Sequence, residues 1–162
     1  MTIDRFIDWL AASDASLAIQ TAGWVVPAVQ SIHILAIAIV MASMAMLDLR
    51  LAGMIGREQS LQAMARRFMP WLWRALAVLA VTGAVMIVGE PKRELGSDLF
   101  WLKMILLLVA VGLTAPMLAI LQDQPFAKMS PARRTAIRGC ALLSLACWVA
   151  IVACGRWIAY AQ

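Results

Sequence analysis

The run Trp24-Val-Val-Pro-Ala-Val-Gln-Ser-Ile-His33-Ile-Leu-Ala-Ile-Ala-Ile-Val-Met-Ala-Ser-Met-Ala-Met-Leu47, closed by Asp48-Leu-Arg50, decides the fold. It carries no formal charge before Asp48. As a helix it is long enough to cross a hydrocarbon core of ~30 Å, which takes about 20 apolar residues. It also holds the chain's single histidine. An imidazole inside such a run needs a physical reason, because ionisable groups are costly in a bilayer.

The rest of the chain repeats the pattern. Trp71 to Gly89, Phe100 to Leu121 and Gly139 to Tyr160 are three further runs of spanning length. The 162 residues are 64% hydrophobic and 14% charged, with a mean hydropathy of +0.85. A soluble domain is about half apolar and about a quarter charged, and a chain this small cannot bury the excess within itself. The expected fold is all-α: one membrane domain over residues 1–162, a four-helix bundle running up, down, up and down. Ala38 and Ala42, Ala80 and Ala84, and Ala146, Ala150 and Cys154 are the small residues expected at close helix contacts.

Before the first span, Ile3, Phe6, Ile7 and Leu10 fall at i, i+3, i+4 and i+7. They predict a short amphipathic helix over 2–12, with Trp9 suited to the headgroup layer. Ser13-Asp14-Ala-Ser16 reads as a turn. No basic, contiguous signal-peptide pattern is present at the start. Ser60 to Met69 predicts a separate interfacial helix ended by Pro70. Pro116 is expected to kink the third span. Ser130-Pro131 reads as an N-cap followed by proline at the first helical position.

Charge sets the expected orientation. The first and third connections, together with Arg74, hold nine of the fourteen Lys and Arg: Arg50, Arg57, Arg66, Arg67, Arg74, Lys128, Arg133, Arg134 and Arg138. The positive-inside rule then puts both termini outside the cytoplasm of a bacterial inner membrane. Trp24, Trp101, Trp157 and Tyr160 mark one interface, and Trp71 and Trp73 the other. The net charge of +5 is a topology and anionic-lipid signal and does not point to nucleic acid.

Functional candidates follow from depth. His33 lies ~13 Å below Trp24 at 1.5 Å per residue; Ala80, Val109 and Ile151 share that level in the other spans. Above it lie Met86, Met104, Lys103, Cys154 and Arg156. A neutral imidazole beneath a layer of cations suits b-type haem. His33 would ligate the iron, Met86 or Met104 would supply a sixth ligand, and Arg156 and Lys103, with Lys92 or Arg93, would meet the propionates. Gln30 and Ser31 are near enough in sequence to help orient the ring. Two other readings of His33 stay open: a proton or quinone contact, and a structural hydrogen bond between helices.

Other features have plainer explanations. Cys140, Cys147 and Cys154 recur every seven residues and form one stripe, too widely spaced for disulfides within a helix and suited to packing. Of the eleven methionines, Met41, Met44, Met46, Met86, Met104 and Met117 could line a Cu(I) path, but methionine is also a common core filler. Asp48 could accept from backbone or from Arg74; the expected role is a structural ion pair at the inner rim, and the alternative is a proton entry point. No phosphate loop, zinc-type spacing or nucleophile motif is found.

The pattern Gln30-Ser31-x-His33, followed by a small-residue apolar run into Asp48-Leu-Arg50-Leu-Ala-Gly53, resembles an uncharacterised family of small four-span bacterial membrane proteins. A histidine on the first of four spans is also similar to HemJ-type protoporphyrinogen oxidase and to the membrane domain of copper-resistance protein D. The former similarity implies haem on His33. The matching downstream motif is lacking, so the oxidase activity is not implied. The resulting expectation is a haem b protein that passes electrons to or from a quinone or a periplasmic partner, as a homo-oligomer. The alternative is a non-redox copper carrier or accessory subunit with a structural histidine.

Overall fold

A computed structural model describes residues 2–55, 60–123, 126 and 129–158, with the side chains of 117–123 and 158 left aside. Arg57, Lys128 and Tyr160, and the side chain of Met117, therefore lie outside the described residues. The described chain forms seven α-helices: α1 (Ile3–Ala11), α2 (Asp14–Thr21), α3 (Val25–Ala52), α4 (Leu61–Gly89), α5 (Pro91–Leu95), α6 (Asp98–Asp123) and α7 (Pro131–Ile158). Four of them, α3, α4, α6 and α7, are long and apolar enough to cross a membrane.

Their outer surfaces fit lipid. Leu35, Val81 and Leu108 are 66, 66 and 74% exposed, a cost no small domain offsets in water. The chain is thus a multi-pass membrane protein. Val40, Met44, Leu72, Ala75, Ala110, Cys147 and Trp148 form the main core, with Met41, Met69, Leu76, Leu106 and Ile151 packed around it. A second cluster of Leu51, Leu61, Met129, Ile137 and Ala141 closes the end opposite α5.

The helices are not equally engaged. α3 packs against α4 and α7, and α7 against α6, while α4 and α6 touch only sparsely. The bundle therefore has one loose seam, between the second and third spans. At the α5 end, α1 and α2 lie across the helix termini. Gln20 Nε2 donates to the Gly89 carbonyl at 3.0 Å. A Cβ on Gly89 would lie 2.8 Å from Ile19 Cγ2, so the missing side chain lets α2 approach. Lys92 meets Asp8 at 3.0 Å across α5 and α1.

Local signals explain most boundaries. Ser60 and Ser130 accept from the backbone N–H groups of Ala63 and Arg133, as N-caps do. Gly53 ends α3 at φ 81°, a left-handed position that glycine takes without a Cβ clash.

Several expectations are corrected. Ser13-Asp14-Ala-Ser16 is the start of α2, capped by Ser13, whose side chain accepts from Ser16 N. Residues 60–69 are not a separate interfacial helix: α4 runs unbroken through Pro70. Pro70 is exposed, so the Arg66 carbonyl it leaves unmatched faces the surroundings and not the core. α6 is also continuous through Pro116, the position of the expected kink. The expected small-residue contact faces are also displaced. Ala38, Ala42, Ala80, Ala84 and Ala146 are exposed, and close packing is made instead at Ala36, Ala75, Ala110 and Ala141.

Candidate functional site around His33

Eight residues into α3, His33 reaches α4. Its Nδ1 lies 2.7 Å from Thr82 Oγ1. The same hydroxyl lies 2.7 Å from the Val78 carbonyl one turn back on its own helix. A threonine hydroxyl has a single proton. If both short bonds are made, Thr82 donates to Val78 and accepts from His33 Nδ1–H. By this bond counting, Nε2 carries the lone pair. Among the described residues, Nε2 has no protein partner.

A Cβ on Gly83 would lie 3.7 Å from His33 Cε1, so α4 passes the imidazole with only backbone at that point. The half-buried ring feels Lys103 of α6 and Glu94 of α5 electrostatically. It thus lies beside the loose α4–α6 seam.

Lys103 is held among several groups. Its Nζ sits 5.2 Å from the Phe100 ring centroid, and Glu94 and Cys154 act on it electrostatically. Its Cδ lies 3.9 Å from where a Cβ on Gly155 would be, so glycine lets α7 run past the lysine stem. Glu94 is 4% exposed and meets Arg93 at 3.5 Å. A buried carboxylate needs such cationic partners.

The predicted site residues are thus gathered only in part. His33 and Lys103 come together. Met86 is half-buried one turn beyond Thr82, on the same face of α4 by helical spacing. Arg156 is exposed at the same end of the bundle and is not among the charges acting on the imidazole. Lys92 and Arg93 are paired with Asp8, Glu90 and Glu94. Ser31 donates to the Pro27 carbonyl of its own helix and does not orient the ring. An open groove of ≈ 470 Å³ at the α5 end is lined by Ala11, Gln20 and Gly89–Arg93, apart from the imidazole.

Thr82 was not foreseen as the partner, since depth counting pointed to Ala80. The signal was present: Thr82 is the only hydroxyl residue between Trp71 and Gly89. At the opposite end, the expected Asp48–Arg74 pair is absent. Asp48 is fully buried, while Arg74 is exposed and lies over Trp71 at 5.6 Å. The cysteines are free thiols, with Cys147 in the main core and Cys140 against the second cluster. Met44 and Met64 are buried and Met41 and Met69 are packed against the core, as fillers are. Among the described residues, no group of three or more His, Cys, Asp or Glu side chains converges.

The match to known families spans nearly the whole chain, from residue 6 to residue 161. The chain belongs to DUF6644, a family of unknown function. No curated protein and no solved structure matches it. Membership in DUF6644 agrees with the expectation of an uncharacterised family drawn from Gln30-Ser31-x-His33 and Asp48-Leu-Arg50. It assigns no chemistry, so function rests on the residues themselves.

Proposed function

We propose that this chain is a b-type haem protein of the bacterial inner membrane that passes electrons to or from a quinone or a periplasmic partner. The observation that carries this reading is the His33–Thr82 pair. A ligating histidine is commonly fixed by a hydrogen bond from its other ring nitrogen, which sets tautomer and orientation. Thr82 supplies that bond at 2.7 Å and leaves Nε2 for iron. Gly83 puts only backbone beside Cε1, and α4 and α6 pack sparsely next to the ring.

In this reading His33 binds the iron, Lys103 and Arg156 meet the propionates, and Met86 is the candidate sixth ligand. Haem would supply one-electron chemistry. The chain's residues do the rest: Thr82 holds the ring, Lys103 keeps positive charge near it, and the apolar spans exclude water. The likeness to HemJ-type proteins in the first-span histidine supports haem on His33, without the oxidase activity. Both termini lie in the periplasm, in keeping with the basic residues at the other end. A homo-oligomer is part of the proposal, since Ala38, Ala42, Ala80 and Ala84 leave small outward faces.

Titration of haem b into the detergent-purified apoprotein tests the reading. Saturable one-to-one binding that is weakened in His33→Ala supports it; equal uptake by the two proteins contradicts it.

A further inference from the structure

Far from His33, a second polar group is buried where three spans meet. Asp48 is 0% exposed and stands four residues before the end of α3 at Ala52, ~6 Å by helical rise. Ser144 of α7 faces its carboxyl and is also 0% exposed. Ser144 Oγ lies 3.3 Å from Thr114 Oγ1 of α6, and Thr114 donates to the Ala110 carbonyl at 2.8 Å. Each hydroxyl is the only Ser or Thr of its apolar run, 100–121 or 139–160. Yet among the described residues neither Asp48 oxygen completes a hydrogen bond.

Among the described residues, no ion pair neutralises the carboxyl. On α4, Arg74 is exposed over Trp71, and Arg66 and Arg67 are exposed. On α7, Arg138 is exposed, stacked near Phe126, and Cys140 and Cys147 are free thiols. On α6 the polar group at this level is Thr114. On α3 itself, Arg50 is two residues on, and no Asp48–Arg50 ion pair is formed. An ionised carboxyl is costly in such surroundings without a counter-ion.

A protonated carboxyl satisfies the donor count. Thr114 has spent its proton on Ala110, so Ser144 donates to Thr114. The Ser144 oxygen can then accept from Asp48 O–H, which gives one polarised line from α3 through α7 to α6. We propose that Asp48, Ser144 and Thr114 form an intramembrane proton-binding site, loaded on the Asp48 carboxyl and exchanging with water at the C-terminal end of α3. On release, the O–H bond of Asp48 breaks and its proton passes to water. The carboxylate left behind accepts from Ser144, whose hydroxyl turns away from Thr114. Fifteen residues of α3, ~22 Å, separate this site from His33, and it does not depend on the haem reading.

Infrared spectroscopy of the full chain in vesicles, with and without ¹³C-carboxyl-labelled aspartate, tests the proposal. The expected result at neutral pH is a protonated-carboxyl C=O band that moves with the label. The band fades as pH is raised, shifts in Ser144→Ala and is lost in Asp48→Asn. Asp4, Asp8, Asp14 and Asp98 are exposed, and the difference between wild type and Asp48→Asn separates their bands from that of Asp48. A label-sensitive band that is absent at neutral pH, persists unchanged at alkaline pH, or is unmoved in Ser144→Ala overturns the proposal. Labelled wild type and Ser144→Ala suffice even if Asp48→Asn does not fold.

Discussion

His33 on the first span and Thr82 on the second are joined by a 2.7 Å contact, and Thr82 is in turn bound to the Val78 carbonyl of its own helix. The relationship fixes one ring nitrogen and leaves the other without a protein partner among the described residues. Thr82→Val keeps the shape and removes the acceptor. The expected outcome is a loss of about 1 kcal/mol in stability and haem affinity reduced ~10–100-fold, with Thr82→Ser retaining most of both. Thermal unfolding in detergent and haem titration of the three proteins check this.

The N-terminal helices should detach when their seat is changed. Gly89 lacks the side chain that would collide with Ile19, and its carbonyl receives Gln20. Gly89→Val, combined with Gln20→Ala, is expected to raise hydrogen exchange across α1 and α2 while α3 to α7 stay protected. Unchanged protection of residues 3–21 would count against the docking described.

Gly53 offers a separate test of local geometry. Its φ of 81° costs an L-residue about 1 kcal/mol. Gly53→Ala should lower stability by about that amount, and Gly53→Asn by less, because asparagine tolerates the left-handed region better. Chemical denaturation in mixed micelles measures the difference.

Orientation is open to direct measurement. Nine of the fourteen Lys and Arg lie toward the connections opposite α5. Reporter fusions after residue 162 should therefore report a periplasmic C-terminus, and fusions within the 48–60 connection a cytoplasmic one. Removing positive charge through Arg66→Gln, Arg67→Gln and Arg74→Gln should weaken this bias.

Much of the fold was legible because lipid imposes a simple rule: apolar runs of spanning length must become helices. The four spans and the cap at Ser130 follow from residue type and spacing. Partnership between helices was less legible. Hydropathy and depth do not report rotation about a helix axis, so Ala38 and Ala80 were expected inward and proved exposed. Asp48 was matched to Arg74 by depth, although the two side chains face different surroundings. Pro70 was read as a break, but α4 continues through it. At the site, His33 and Lys103 were evident as the odd residues of their runs. Thr82, Ser144 and Thr114 carried the same signal in fainter form, each the single Ser or Thr of an apolar run.

The optical spectrum of the protein as purified from haem-replete cells tests the central claim most directly. The account predicts a Soret band that shifts on reduction in the wild type and is lost in His33→Ala, with the mutant still folded by circular dichroism. A wild-type protein that is correctly folded, colourless and free of iron, or a Soret band retained unchanged in His33→Ala, would contradict it.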